Sequence, residues 1–520
     1  MVYNGERKGE HMSISFADGI KQELNSEKTF TENGAVAYET SGKSLVDINF
    51  AVSELRGASV EDIKKRFSAA YFENPALALR WLFFARDVRQ GMGERRLFRI
   101  CLKWLDETKP EVIKQLIPVV AEYGREDDLI ELFDSSVSDV VFDYIKTKLE
   151  DDVDKMNNGK AVSLLAKWCP SSNTSSATTR KAAHQLIKKL GWSEKQYRKT
   201  LSALRKHLDV VEVKASSNEW SQIDYQKVPS KANLKYKDAF LKHDADRRQK
   251  FLDKVEAGEA KINSATNYPH DILHQYSNGY CNIKKADPAV EALWKALPDY
   301  VTDVDSGKTI CVADGSGSML TGISNSSCTA LEVANALAIY FSEKLNGPFK
   351  DKYITFSSRP KLVDMSNAKS LHDKVEIALR HNECDSTNIE KVFDLLLNVA
   401  KKNNLKQEDI PNILILSDMN FNSGVYCSED GTLMEQIAKK WKNSGYEIPR
   451  VTYWNICGGI DRHAPVPVQK AKNGVALVSG FSPLIASMIY SQKTDPFEVL
   501  VEKLMTKRYD KIEELVKSYL

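Results

Sequence analysis

The chain of 520 residues is too long for one hydrophobic core, so two or three domains are expected. With 42% hydrophobic and 28% charged residues, the composition excludes the disordered and the membrane-embedded extremes. The formal net charge of only +2 means that any nucleic-acid surface must arise from local clusters of Lys and Arg.

A polar arm and a helical region make up the first 295 residues. Residues 1–43 contain Gly34 and Gly42 and predict an N-terminal arm that lies on the body without a core of its own. From residue 44 to about 295, apolar residues recur at helical spacing, as in LALRWLFFARDV and VIKQLIPVVAEY. Turn signals such as KPE and YGRED divide this pattern. We therefore predict an all-helical domain of paired antiparallel helices, an arrangement that can stack as a solenoid.

Short β-branched runs alternate with amphipathic helices between residues 296 and 490. The strand candidates are TICVAD, KYITFS, NILILSD, RVTYWNI and GVALVS. Helical patterns such as TALEVANALAIYFSEKL and NIEKVFDLLLNVAKK lie between them. This alternation predicts an α/β domain with a mostly parallel, doubly wound, Rossmann-like sheet. Residues 491–520 predict closing helices.

Oxygen-bearing side chains fall at the predicted carboxyl ends of the strands, where open α/β sheets bind their ligands. Asp314 ends the first strand and is followed by Ser316 and Ser318 on a loop that contains glycine. Thr387 precedes a helix, and Asp418 ends the most apolar strand. Such oxygens suit Mg²⁺ or Mn²⁺, and so few carboxylates would leave a coordination position for an acidic residue or phosphate of a partner. The alternative is that these residues only cap helices and loops.

This pattern of DxSxS, a loop threonine and a later aspartate resembles the metal-ion-dependent adhesion site of von Willebrand factor A domains. The resemblance covers roughly residues 300–490. In that family the site is a binding device, and the carboxylate of a partner completes the metal shell. The resemblance therefore implies a Mg²⁺ site that docks a protein.

Segments of the helical region resemble a second family. TENGAVAYETSGKSLVDINF, RDVRQGMGERRLFR, KWCPSSNTSS and YRKTLSALRKHLDVVE are similar to the phage, fungal and plant family known as domain of unknown function 2828. That family is similar in layout to the Ro autoantigen, whose TROVE module is a ring of HEAT-like helices joined to a von Willebrand factor A domain. Ro-type proteins bind small structured RNAs and RNA 3′ ends, so the resemblance implies an RNA partner, although no RNA-contacting residue carries over.

Two basic clusters in the helical region are candidates for RNA contacts. Between residues 180 and 206 there are nine Lys or Arg residues and one acid, Glu194. Such a surface can neutralise phosphates, and Trp192 and Tyr197 can stack on unpaired bases. The alternative is that the clusters are solvated helix faces and structural ion pairs, with Trp192 in the core. The candidates are Arg86, Arg89, Arg95 and Arg96 around the RQGMGERR loop, and Arg180, Lys181, Lys188, Lys189, Arg198, Lys199, Arg205 and Lys206 in the second cluster.

Several other signals predict no chemistry. GKS at 42–44 and GKT at 307–309 lack the earlier glycine of a P-loop. His270 and His274 have the spacing of a zinc helix, but the sequence indicates no third ligand, so we expect a structural role. The eight scattered cysteines predict reduced, mostly buried thiols. Because no catalytic triad can be assigned, we expect a protein that is not an enzyme.

The leading hypothesis is a cytoplasmic, RNA-binding ribonucleoprotein subunit whose metal site docks a partner. The cytoplasmic assignment rests on the lack of a signal-peptide pattern and of a membrane-spanning apolar run. The main alternative is a protein–protein adaptor that binds no RNA. A metal-dependent phosphoesterase would need additional carboxylates or histidines around Asp314. The choice between Mg²⁺ and Mn²⁺, ring closure and the oligomeric state stay open.

Overall fold

The computed structural model describes residues 28–520 except 278–281, 302–307, 325, 383–385, 424–430 and 460–462. Most of the predicted N-terminal arm and Cys281, Cys384 and Cys427 lie outside these described residues. The five described cysteines are buried. Across the described ranges, none of the helices is both long and apolar enough to cross a membrane.

Helices are the main secondary structure of the described residues between 44 and 295, as predicted. In chain order they are α1 (Ser44–Phe50), α2 (Val52–Leu55), α3 (Val60–Glu73), α4 (Pro75–Arg86), α5 (Arg96–Thr108), α6 (Pro110–Leu116), α7 (Val120–Tyr123), α8 (Ser138–Asn157), α9 (Leu165–Trp168), α10 (Ala177–Leu190), α11 (Glu194–His207), α12 (Val211–Ser216), α13 (Ser230–Lys235), α14 (Lys237–His243), α15 (Ala245–Glu256), α16 (Pro269–Leu273) and α17 (Pro288–Lys295). Short 3-10 helices, such as Glu126–Leu132, connect some of them.

Local sequence signals set the ends of these helices. Ser59 begins α3, and its side chain accepts a hydrogen bond from the Asp62 backbone N–H at 3.0 Å. Asn74 does the same for α4, where Pro75 occupies the first turn without losing a helical hydrogen bond. At the end of α10, Gly191 adopts a left-handed conformation with φ of +69°, which a side chain would disfavour.

A six-stranded sheet forms the core of the α/β part, in the spatial order β5-β4-β3-β6-β7-β8. Its strands are β3 (Thr309–Asp314), β4 (Lys352–Phe356), β5 (Leu362–Asp364), β6 (Asn412–Ser417), β7 (Val451–Asn455) and β8 (Val475–Ser479). The intervening and closing helices are α18 (Ala330–Lys344), α19 (Leu371–Arg380), α20 (Ile389–Lys402), α21 (Leu433–Asn443), α22 (Pro496–Leu504) and α23 (Asp510–Val516). All five predicted strands are confirmed to within a residue at each end.

Two short features of the sheet structure were not predicted. The edge strand β5 runs antiparallel to β4, so the sheet is mixed. Two further strands, β1 (Lys28–Phe30) and β2 (Val36–Tyr38), form an antiparallel hairpin in the N-terminal arm. All three strands have only three residues, too few for a period-2 pattern to stand out.

The helical region contacts the α/β part at both of its ends. Near its start, the Ser53 backbone N–H donates to Ser479 Oγ at 3.0 Å on β8. At its far end, α16 lies against α18. The closing helix α23 returns to α4, where Arg80 forms ion pairs with Asp510 and Glu513. The helical region and the α/β part are therefore in contact at several places, in addition to the point where the chain passes from one to the other.

Candidate functional site

The ends of two adjacent strands bring Asp314 and Asp418 to the same edge of the sheet. Strands β3 and β6 are parallel neighbours, paired through Ala313 and Leu416. Ser417, which was not predicted, donates from Oγ to Asp314 Oδ2 at 2.5 Å. Both aspartates are fully buried. This edge therefore holds two carboxyl groups away from water.

The loop after β3 adds the two predicted serines. The Ser316 backbone N–H donates to Asp314 Oδ1 at 2.9 Å, which folds the loop back over the strand end. The hydroxyl oxygens of Ser316 and Ser318 are 3.1 Å apart. A short 3-10 turn over Gly317–Leu320 follows. The structure thus gathers the aspartate and both hydroxyls of the DxSxS pattern.

Thr387 lies on the loop before α20 and reaches the same edge. The side chain is buried, and its backbone oxygen accepts from the Asn422 N–H at 2.9 Å. Its hydroxyl accepts from Asn33 Nδ2 at 3.3 Å, and the same Asn33 amide donates to Asn420 O at 2.6 Å. Asn420 in turn donates its backbone N–H to Asp418 Oδ1 at 3.1 Å. One asparagine therefore links the threonine to the aspartate loop.

The electrostatics of this edge favour a cation. Burial and the neighbouring carboxylate of Asp418 raise the pKa of Asp314, and burial raises the pKa of Asp418. Within the described residues, Asp418 Oδ2 is buried without a hydrogen-bond partner. Met419, the next residue, has a φ of +68°, a strained conformation that often accompanies functional loops. A divalent ion would compensate both carboxylates and engage the unpaired oxygen, so the residues present fit the predicted metal.

The arginines of the first basic cluster differ in their accessibility. Arg86 is buried, and its Nε donates to Asp128 Oδ2 at 2.7 Å, so its charge is not available to a phosphate. Arg96 is half-buried and donates to the Ala58 carbonyl at 2.8 Å. Arg89 and Arg95 are exposed. Arg86 therefore forms a structural ion pair, as the alternative interpretation proposed, whereas Arg89 and Arg95 lie on the surface.

The second cluster lies on α10 and α11 and separates into three groups. Arg180 and Arg205 hold backbone carbonyls of the 166–175 segment. Lys181 and Lys189 pair with Asp134 and Asp139. The remaining candidates are exposed and, in the part of the chain that the structure describes, form no ion pair: Lys188, Arg198, Lys199 and Lys206.

The aromatic residues of this cluster do not form a stacking platform. Tyr197 is fully buried and donates its hydroxyl to Pro170 O at 2.8 Å, so the suggestion that it stacks on bases is wrong. Trp192 is partly buried against the hydrophobic core, as the alternative reading held. A groove of about 860 Å³ lies beside α10 and α11, and Trp168, Thr178 and Arg205 are among its lining residues.

His270 and His274 take separate places. His270 is buried, and burial lowers its pKa to about 4. His274 Nδ1 lies 2.9 Å from Glu332 Oε1 at the start of α18. Hydrogen bonds to the side chains of Cys328 and Glu332 raise the pKa of His274 to about 10. The ligand atoms of His274, Cys328 and Glu332 lie within 4.8 Å of one another, a grouping that the HDILH spacing could not reveal.

The fold and the site define a class of proteins in which a helical region is joined to an α/β domain with a carboxylate and hydroxyl site at its sheet edge. The chain belongs to the family described as Domain of unknown function (DUF2828), whose profile matches residues 31–146 and 119–308. This confirms the resemblance drawn from the helical segments. A second profile, Domain of unknown function (DUF7788), matches residues 308–515.

Two known proteins are similar to the chain over most of its length. "Uncharacterized protein L728" of Acanthamoeba polyphaga mimivirus is 30% identical over 514 residues, which cover 92% of this chain and 87% of that protein. Among solved structures, the Deinococcus radiodurans RO (RSR) protein matches with a TM-score of 0.45 and 14% identity, over 87% of this chain and 94% of that one. At that level of similarity, neither function nor residue roles transfer from that protein.

Proposed function

We propose that the protein binds RNA through α10 and α11 and docks a partner through a Mg²⁺ or Mn²⁺ site on a von Willebrand factor A-type domain. The observation that carries the RNA part is the set of exposed cations on this helix pair that have no acidic partner in the described part of the chain. Phosphate neutralisation supplies most non-specific affinity for nucleic acid, and only cations that are not already paired can supply it at full strength.

The arrangement of charge on α10 and α11 supports this proposal. Two lysines of the pair, Lys181 and Lys189, are paired with acids of the neighbouring segment, as on an ordinary solvated helix face. Lys188, Arg198 and Lys199 form no such pair among the described residues and are exposed. The neighbouring groove is lined by hydroxyl groups, apolar side chains and three acidic side chains, and none of the four exposed cations lines it. The exposed cations, and not the groove, therefore support the RNA surface.

The metal part of the proposal rests on the buried sheet edge. Asp314, Ser316, Ser318, Thr387 and Asp418 would hold the ion, with the two carboxylates supplying charge and the hydroxyls neutral oxygen ligands. When bound, the ion would act as a Lewis acid for an incoming carboxylate or phosphate oxygen. Because these side chains bind and orient, we propose binding at this site and no catalysis.

The adaptor hypothesis is the second candidate, and it rests on the same metal site without an RNA surface. Among the described residues, Asp418 Oδ2 has no hydrogen-bond partner, which favours a cation at this edge whether or not RNA binds elsewhere. If the adaptor hypothesis holds, Asp418→Asn will abolish partner binding, and the exposed cations on α10 and α11 will be dispensable.

The first experiment separates the two candidates. The full chain is purified at low salt, and copurified nucleic acid is measured by the absorbance ratio and by extraction with nuclease controls. We expect RNA with the wild-type protein and with Asp418→Asn, and much less with a variant in which Lys188, Arg198, Lys199 and Lys206 are changed to Gln. Equal RNA content in that variant and the wild type would refute the proposed surface.

A further inference from the structure

A short N-terminal segment lies directly on the candidate metal site. We call residues 31–35, between β1 and β2, the strap. Thr31 Oγ1 donates to Phe421 O at 2.6 Å, and Gly34 forms an antiparallel bridge with Asn422. The strap therefore pairs with the loop that follows β6, which is the loop that carries one of the metal-ligand candidates.

Asn33 connects this strap to both ligand-bearing loops. Its side-chain amide donates to Thr387 Oγ1 at 3.3 Å and to Asn420 O at 2.6 Å. Its backbone oxygen accepts from the Ser423 N–H at 3.2 Å. These three bonds hold the neighbouring residue, Glu32, over the same edge of the sheet.

Glu32 brings a third carboxylate to this edge. Its backbone N–H donates to Asn420 Oδ1 at 3.4 Å. A Cβ atom on Gly459 would lie 2.9 Å from Glu32 Oε1 and 1.6 Å from Asn420 Nδ2, so both side chains approach a turn that only glycine leaves open. The backbone N–H of the same Asn420 donates to Asp418 Oδ1 at 3.1 Å, so one residue contacts both acidic residues.

We infer that Glu32 is an in-chain ligand of the metal site, and that the strap occupies the coordination position left for an acidic partner. This inference rests on the metal site of the proposed function. A divalent ion would turn the repulsion between Glu32 and Asp418 into attraction of both to one centre. A carboxylate tethered beside the ion has a high effective concentration, so a free acidic ligand competes poorly with it. Docking of a partner carboxylate then requires release of the strap.

The test measures Mn²⁺ binding to the full chain by calorimetry and by electron paramagnetic resonance of the free ion. Glu32→Gln should weaken Mn²⁺ binding by at least about tenfold, because even the loss of a group that only supports a metal ligand weakens binding by about 10- to 100-fold. The matched control is Glu39→Gln, another exposed glutamate of the same arm, which should bind Mn²⁺ like the wild type. Added acetate should restore binding in Glu32→Gln and leave the wild type unchanged.

The outcomes separate the ligand from the site. Loss of Mn²⁺ binding in Asp418→Asn together with unchanged binding in Glu32→Gln would overturn the role of Glu32 and leave the metal site standing. Weaker binding in Glu32→Gln without recovery in acetate would also overturn it, because a general loss of negative charge would explain that result. Equal Mn²⁺ binding by the wild type and by Asp418→Asn would refute the proposed metal site itself.

Hydrogen exchange gives a second readout that does not depend on a variant of the strap. Mn²⁺ should slow amide exchange of residues 31–35 in the wild type, because the ion ties Glu32 to the sheet edge. The same addition should have no effect in Asp418→Asn. Exchange of the strap that does not respond to saturating Mn²⁺ in the wild type would overturn the inference.

Discussion

The salt dependence of RNA binding tests the surface on α10 and α11 quantitatively. Four exposed cations without acidic partners among the described residues define the change: Lys188, Arg198, Lys199 and Lys206, each to Gln. For single strands, each neutralised phosphate contributes about 0.7 to the slope of log affinity against log salt. Loss of four contacts should therefore reduce the slope by about 2.8.

This change in slope is large enough to measure directly. Between about 50 and 200 mM salt, a slope difference of about 2.8 corresponds to a difference of about 50-fold in affinity loss. The assay is fluorescence anisotropy of a labelled single-stranded RNA, titrated at several salt concentrations. The variant should start weaker at low salt and converge on the wild type as salt rises.

A charge-matched control makes the result specific. Lys401, Lys402, Lys439 and Lys442 are exposed on the α/β part. Changing these four to Gln lowers the formal net charge from +2 to −2, as the α10 and α11 variant does. If both variants lose slope equally, the effect is one of overall charge. If neither does, the helix pair is not the RNA surface.

Four further outcomes follow from single contacts. His274→Gln should lower the free energy of unfolding near pH 7, and the stability of this variant should converge on that of the wild type above pH 10. Folding raises the pKa of His274 to about 10, so its contribution to stability is complete below the unfolded pKa of about 6.5 and is lost as the pH rises through 10. A difference in urea midpoints that stays constant with pH would contradict this. Asp128→Asn leaves Arg86 buried without its charge partner and should cost about 3–5 kcal/mol in urea unfolding, so a near-neutral effect would count against a buried pair. Mg²⁺ should raise the melting temperature of the wild type and not that of Asp418→Asn; equal shifts would place the ion elsewhere. Tyr197→Phe should cost about 1 kcal/mol in stability and leave RNA affinity unchanged, whereas a loss of affinity would restore its stacking role.

Topology explains why part of the metal site could be predicted from the sequence. In a parallel sheet the carboxyl ends of neighbouring strands share one edge, so polar residues that end two apolar runs must come close. TICVAD and NILILSD end in Asp314 and Asp418, and their strands are adjacent. The strand-end serine, Ser417, carried the same signal and was missed. No such rule places Asn33, which lies 387 residues from its acceptor Asn420.

The basic clusters show what charge counting leaves out. Arg86 follows the buried Leu82 and Phe83 at spacings of four and three, so helical periodicity places it on the inner face. Tyr197 shares its face with Leu201 and Leu204 in the same way. Counting positive residues in a window does not show on which face of the helix each one lies, whereas the periodicity of the apolar residues does. The sequence therefore contained the information that Arg86 and Tyr197 are buried and cannot contact RNA.

The change of sequence pattern near residue 295 marks a change of secondary structure and not a break between two independent bodies. Asn455 on β7 donates its side-chain amide to Phe50 O at 2.9 Å and to Glu54 Oε1 at 2.7 Å. The helices α1 and α2 therefore pack against the end of the sheet formed by β7 and β8. The strap lies on the metal-site loop, and β2 continues the arm by pairing Tyr38 with Val466 before α1 begins. The first helix begins at Ser44, so the chain runs from Glu32 to that helix in 12 residues. An event that displaces Glu32 acts on the segment from which the helical region starts.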